Sequence, residues 1–239
     1  MSVDGQPGEE GPLPRALELL WRDAGEPRSG GLNRRRIVDV AIELADADGL
    51  GALSMARLAE RLGCGTMSLY RHVANKDELL TFMVSAAPGP PPPRASGAHW
   101  RDALTEWAHG LRDAYHRHPW ILQASVVPPV DPGQLAWLDG GLAAMDGTGL
   151  SDRDKFSAVM AILHFVRGAA ALDLETADRG AAAGYPALLR RLVTTDRFPA
   201  LAAAVRAGVF DTADDRQADF RSGLHRFLDG IAAEMARPR

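Results

Sequence analysis

Leu53–Leu80 reads LSMARLAERLGCGTMSLYRHVANKDELL, and its punctuation decides the fold. Ser54 is placed to cap a helix, because its hydroxyl can accept an otherwise unpaired amide of the first turn. Leu58, Ala59 and Leu62 then recur at helical spacing, giving that helix one apolar face. Gly63 supplies the positive φ that ends such a helix at low cost. Beyond it, Leu69 and Val73 can face inward, which leaves Thr66, Met67, Ser68, Tyr70, Arg71 and His72 on the other side. Asn75 opens the next helix, and Glu78 three residues on completes a capping box. The stretch is therefore a short helix, a glycine turn, a second short helix and the start of a third. Small hydroxyls, a phenol, an arginine and a histidine on a short second helix suit nucleic-acid contact better than catalysis. This is the pattern of a DNA-reading helix-turn-helix.

Upstream, Asn33–Asp48 places Ile37, Ala41, Leu44 and Ala45 on one helical face, and Gly49 stops the helix. With the two short helices it makes a three-helix module. Earlier still, Leu13–Arg22 (LPRALELLWR) is short and amphipathic and is expected to dock Leu17, Leu20 and Trp21. Met1–Pro12 is Gly, Pro and acid, too polar to fold alone and expected to be mobile. Gly25–Leu32 reads as a linker. Arg28 and Arg34–Arg36 bring positive charge to the entrance of the module, either as a solvated arm or as an arm near phosphates or the minor groove.

The whole chain is 239 residues, 46% hydrophobic and 24% charged, with a net charge of −4. Those values describe one or two globular domains. The acidic total argues against indiscriminate nucleic-acid binding, so any DNA contact must come from a local pattern. No apolar run of membrane-spanning length and no signal peptide is read, so no membrane partner and a cytoplasmic location are expected. A single cysteine, Cys64, excludes an internal disulfide and a cysteine-cluster zinc site. It reads as a small buried residue at the turn.

Downstream, Ala87–Gly97 (APGPPPPRASG) breaks any helix and is expected to act as a semi-rigid spacer. His99–His118 follows with Trp100, Leu104, Trp107, Leu111 and Tyr115 on one stripe, and Pro119 ends it. Gln134–Met145 carries Leu135, Leu138, Leu142 and Met145. Ser151 caps a long helix with Phe156, Val159, Met160, Leu163 and Val166, where Gly168–Ala171 would let another helix approach closely. Gln217–Met235 carries Phe220, Leu224, Phe227, Leu228, Ile231 and Met235. No alternating strand pattern occurs, so the fold class is all-α. The expected division is an N-terminal extension with a short helix (1–31), a helix-turn-helix domain (32–86), a Pro-rich linker (87–98) and a helical ligand-binding and dimerisation domain (99–239).

LSMARLAERLG, SLYRHV and NKDELL, in that order and spacing, resemble the TetR family of bacterial transcriptional repressors, closely through this stretch and more loosely over residues 13–236. The resemblance implies that Thr66, Met67 and Ser68 face base edges and adjacent phosphates. It implies that Tyr70 and His72 donate to phosphates, with Arg71 on the same helix. Lys76, at a helix N-terminus, suits a phosphate oxygen, and Met55 touches the groove. Packing of Tyr70, capping by His72 and a core position for Met67 are the competing readings. Relatives often carry Arg where this chain has Ala56, so the operator cannot be borrowed from them.

The resemblance also implies that Ser151–Glu175 and Gln217–Met235 form a four-helix bundle across a two-fold axis. The homodimer would then read a palindromic double-stranded operator. A small apolar or amphipathic inducer is implied as well, with Trp107, Leu111, Trp120, Trp137, Met160 and His164 as candidate lining residues, although such stripes also build cores. The tetracycline repressor holds its drug with a histidine-bound magnesium. Ile121–Pro129 contains no histidine, so neither metal nor cofactor is expected. No H-E-x-x-H, phosphate loop, dinucleotide fingerprint or G-x-S-x-G is present, and His109, His116 and His118 complete no known ligand spacing. His116 and His118 read as surface residues at a helix end. Catalysis is not expected. The alternative is a ligand-binding helical module with lost or altered DNA binding.

Overall fold

The computed structural model describes residues 12–22, 32–124, 130–177, 184–210 and 216–237. The stretch 1–11, Arg28 and residues 126–129 of the 126–133 proline run lie outside them. Helices are the only regular elements among the described residues. The chain divides into two compact units, one over residues 1–89 and 124–136, the other over 90–123 and 137–239.

In the first unit, α2 (Arg34–Asp48) begins where Asn33 Oδ1 accepts the Arg36 amide at 2.9 Å and ends at Gly49, φ +79°. Its buried face is Ile37, Val38, Ala41, Leu44 and Ala45. That face packs on α3 (Met55–Leu62) and α5 (Lys76–Ala86), from which Leu58, Leu79, Phe82 and Met83 fill the centre. Side chains of this size each contribute about 1.5–3 kcal/mol when fully buried. The core therefore explains why three short helices hold together. The N-terminal helix α1 (Arg15–Arg22) lies on α5. Its docking is shallower than its sequence suggests: none of its residues is buried, and Trp21 is half exposed.

The first unit also takes in the first turn of α7 (Pro132–Ala144). This helix starts two residues before the expected Gln134. Asp131 Oδ1 caps it by accepting the Gln134 amide at 3.0 Å, and proline suits a first helical position. Gly133 donates its amide to Ser85 Oγ at 3.2 Å. A Cβ there would stand 1.9 Å from the Ser85 carbonyl oxygen, so only glycine fits.

In the second unit, α6 (Trp100–Arg117) buries the expected stripe of Trp100, Leu104, Trp107, Leu111 and Tyr115 and packs on α8 (Asp152–Ala177). Ser151 caps α8, its Oγ accepting the Asp154 amide at 3.2 Å. The C-terminal helix α11 (Arg216–Met235) packs on α8 as well, while α9 (Tyr185–Leu192) and α10 (Pro199–Arg206) pair with each other. Contrary to the sequence reading, Asp152–Glu175 is long and apolar enough to cross a membrane by length and composition. The apolar content has another use here: Val159, Ile162, Val166 and Ala170 are fully buried in the unit.

Two further expectations change. The proline segment, expected as a semi-rigid spacer, is packed against helices of the second unit. Pro92 sits against Gly110 of α6 and Pro91 against Gly140 of α7, each glycine leaving room that a Cβ would fill at 2.9 and 3.1 Å. Arg94 then donates to the carbonyls of Ala143 and Ala98 at 2.7 and 3.2 Å. Among the described residues no helix closes on Gly168, since a Cβ there meets nothing within 4 Å. The close approach instead falls at Gly223, where a Cβ would stand 2.5 Å from the Phe165 ring.

Gly133→Ala is expected to force the start of α7 away from α5 and to cost about 1–3 kcal/mol, as overpacking does. Thermal unfolding followed by circular dichroism checks this; an unchanged Tm would show that the two elements part freely.

Candidate nucleic-acid interface

The reading surface is built by caps and one left-handed turn. Ser54 Oγ accepts the Arg57 amide at 3.2 Å and starts α3. At its other end Gly63 adopts φ +66°, ψ 33°. The Gly63 amide donates to the Glu60 carbonyl at 3.1 Å and the Cys64 amide to the Ala59 carbonyl at 3.0 Å, the paired bonds of a Schellman ending. After Gly65 comes α4 (Thr66–Tyr70), shorter than the expected Thr66–His72. The Leu69 carbonyl closes it by accepting the amides of His72 and Val73 at 2.8 and 2.9 Å.

Leu69 and Val73 are fully buried, so they fix which face of α4 looks outward. Met67 is 76% exposed and Tyr70 43% exposed. That exposure removes the core reading of Met67 and the packing reading of Tyr70. Arg71 is exposed and donates from Nη2 to Ser68 Oγ at 3.2 Å, which steadies its guanidinium along the helix. Thr66, Ser68, His72 and Met55 are half-buried around this face. Arg57 is turned to Asp48, 2.7 Å away.

The third helix brings Lys76. Asn75 Oδ1 accepts the Glu78 amide at 2.8 Å, as the capping box predicts. The return half of the box is replaced. Glu78 is 7% exposed, and both its carboxylate oxygens accept from Arg15 Nη1, at 2.9 and 2.7 Å. Arg34 lies over the Phe82 ring at 5.1 Å. Burial pulls its guanidinium below the ordinary arginine range, and Glu78 opposes that shift. Arg34 is thus packed inward rather than extended as an arm. Cys64 is half-exposed, not buried, because the Schellman ending lifts it off the core.

The six candidate pocket residues do not share one setting. Trp107 and Trp137 come together, ring centroids 6.3 Å apart, with Trp107 Nε1 donating to the Trp137 carbonyl at 2.8 Å. Leu111 and Trp120 are buried, Met160 is half-buried and His164 is exposed on α8. A groove of about 280 Å³ lies elsewhere, between α8 and α11, and is lined by Ser157, Ala158, Ala161, Phe227, Gly230 and Ile231 among others. Phe156 and Leu172 of α8 and Phe227 of α11 are exposed. Among the described residues no group of three or more His, Cys, Asp or Glu could hold a metal ion.

One part-buried polar cluster was not foreseen. Asp173 Oδ2 accepts from Arg112 at 2.6 Å and lies 3.0 Å from His116 Nε2, and Arg112 stacks on Phe220 at 4.6 Å. His116 is exposed, as read, and its ring also meets Asp173. The 57-residue separation of the two hides them from any local motif.

Comparison with known proteins agrees with this arrangement. Residues 37–81 match the family described as bacterial regulatory proteins, tetR family, and residues 92–235 match the tetracyclin repressor-like C-terminal domain. The HTH-type transcriptional repressor DrrR1 of Streptomyces coeruleorubidus is 34% identical over 96% of this chain and 89% of its own. The class D tetracycline repressor protein of Escherichia coli is 30% identical over 85% and 91%. The crystal structure of ActR of Streptomyces coelicolor in complex with actinorhodin superposes with a TM-score of 0.74 at 26% identity, covering 87% of this chain and 99% of that one.

The caps that aim this surface carry a measurable share of its stability. Asn75→Ala and Ser54→Ala are each expected to lower the unfolding free energy by about 1 kcal/mol. Denaturant titration checks this, and unchanged midpoints would mean that the caps are replaced by solvent without loss.

Proposed function

The chain belongs to the TetR family of bacterial regulatory proteins, and on that premise we propose that it is a transcriptional repressor. In this reading a homodimer binds a palindromic double-stranded operator and is released by a small apolar or amphipathic inducer. The observation that carries the reading is the outward face of α4. Met67 and Tyr70 stand exposed on a helix whose opposite side is locked into the core by Leu69 and Val73. Thr66, Met67 and Ser68 address base edges, while Tyr70, Arg71, His72 and Lys76 address phosphates, with Met55 at the groove edge. Phosphate contacts set register and base contacts set sequence, so the two groups have separable effects.

Dimerisation is supported by the α8–α11 face. A groove lined by Ser157, Ala158, Ala161, Phe227 and Gly230, on helices that also expose Phe156 and Leu172, offers a surface onto which another helix pair can pack closely. Two such protomers reading one groove face require half-sites about one helical turn, ~34 Å, apart. The inducer reading draws on the ligand complex known for ActR. Here the aromatic pair Trp107 and Trp137, with Leu111, Trp120, Met160 and His164, supplies candidate apolar contacts. Release follows if the inducer binds the splayed dimer better than the operator-bound one, by its differential affinity for the two states.

Titration of the purified protein on the DNA flanking its own gene, with excess nonspecific competitor and at two salt concentrations, tests this. A discrete, salt-sensitive complex is expected, and its absence contradicts the reading. Lys76→Ala is expected to weaken binding across all sequences and to lower the salt slope by about 1. Tyr70→Phe is expected to cost about 0.5–1.5 kcal/mol of binding with no change in Tm. Variants that bind as the parent does would overturn the phosphate assignments.

A further inference from the structure

The helix α1 lies N-terminal to the two matched family domains, which begin at residue 37, although the similarity to DrrR1 extends over 96% of the chain. Eight residues are too few for a helix to persist alone in water, so its contacts hold it in place. Two of those contacts bind different parts of the DNA-reading unit. Arg15 Nη1 donates to both carboxylate oxygens of Glu78, in the first turn of α5. One helical turn and a half further on, Trp21 donates from Nε1 to the Val130 carbonyl at 3.2 Å. Val130 precedes the fully buried Asp131, which caps α7, and Gly133 beyond it holds the far end of α5 through Ser85.

We propose that α1 is a positioning element for operator binding, in which Arg15 acts through Glu78 to fix the turn of α5 that carries Lys76, and Trp21 ties residue 130 to the same helices. The inference rests on the operator-binding reading above. Its physical basis is the depth of Glu78. A carboxylate so little exposed must keep its cations, Arg15 in direct contact and Arg34 close enough to feel its charge, and loss of Arg15 would draw it towards Arg34 or water and shift the turn in which Lys76 sits two residues away. The amide of Glu78 is also the group that Asn75 caps, so cap and ion pair are joined in one residue. Arg15 spends its charge on Glu78 and is thereby a poor phosphate ligand, which separates this role from that of a basic arm. Trp21 adds the second attachment, so α5 is gripped near its start by Arg15 and near its end by the segment that Trp21 secures.

The test uses the full chain on the operator fragment that the titration defines. Arg15→Ala is expected to lower operator affinity roughly tenfold, a coupling typical of one hydrogen-bonded network, with an unchanged salt slope. Arg15→Lys is expected to recover most of the loss. In a Lys76→Ala background Arg15→Ala should cost little more, because its effect passes through Lys76. Trp21→Phe, which keeps the ring and removes the donor, is expected to weaken binding less than Arg15→Ala. Hydrogen exchange of the free protein should quicken at residues 76–86 in Arg15→Ala. A fall of about 1 in the salt slope would instead make Arg15 a phosphate ligand and overturn the proposal. Parental affinity in Arg15→Ala, or unchanged exchange in α5, would overturn it while leaving the operator reading intact. A parent protein that forms no specific complex would remove both.

Discussion

The chain must reverse direction between α3 and α4 within three residues, and Gly63 is where that constraint is met. At φ +66° an L side chain is strained, whereas glycine adopts the conformation without a Cβ clash. The turn closes two otherwise orphaned carbonyls of α3, of Ala59 and Glu60, and it starts α4 in the one orientation that buries both Leu69 and Val73. The outward face of α4 follows as a consequence. Met67 is exposed because the residues two places to its C-terminal side and beyond are anchored, not because anything holds Met67 itself. A surface made this way has its backbone preorganised, so little main-chain order has to be gained when DNA arrives.

The second unit rests on a different constraint, the use of small residues to let large ones meet. Gly141 admits Val159 and the Trp107 ring, Gly223 admits Phe165, and Gly110 and Gly140 admit the two prolines. The proline segment thus becomes a strap fastened across α6 and α7, with Arg94 fixing its end to the Ala143 carbonyl. Fixing this connection makes the course of the chain after α5 less free than the composition of Ala87–Gly97 suggests. Long α8 contributes a buried row to the unit and leaves Phe156 and Leu172 outside, the split expected of a helix with two faces to cover.

Local signals carried most of what the sequence revealed. Ser54, Asn75 and Ser151 all cap where they were read, and Gly49 and Gly63 both take positive φ, because each signal involves groups within four residues of one another. The buried stripe of α6 was legible for the same reason. What stayed hidden depends on partners far along the chain. Glu78 gave its carboxylate to Arg15, 63 residues away, rather than to its own cap. His116 found Asp173, and the prolines found two glycines on different helices. Composition alone likewise leaves α8 open, since a run of apolar residues does not say whether lipid or protein will cover it. The candidate DNA face was legible through α4, while the contribution of α1 to it was not, because α1 carries no motif.

The central claim is that the exposed face of α4, presented twice by a dimer, reads DNA. Hydroxyl-radical footprinting on the DNA flanking the gene tests it most directly. Two protected patches are expected on one face of the duplex, about 10 base pairs apart centre to centre and related by a palindrome. A single patch, or protection that spreads without sequence preference and vanishes with modest salt, would contradict it.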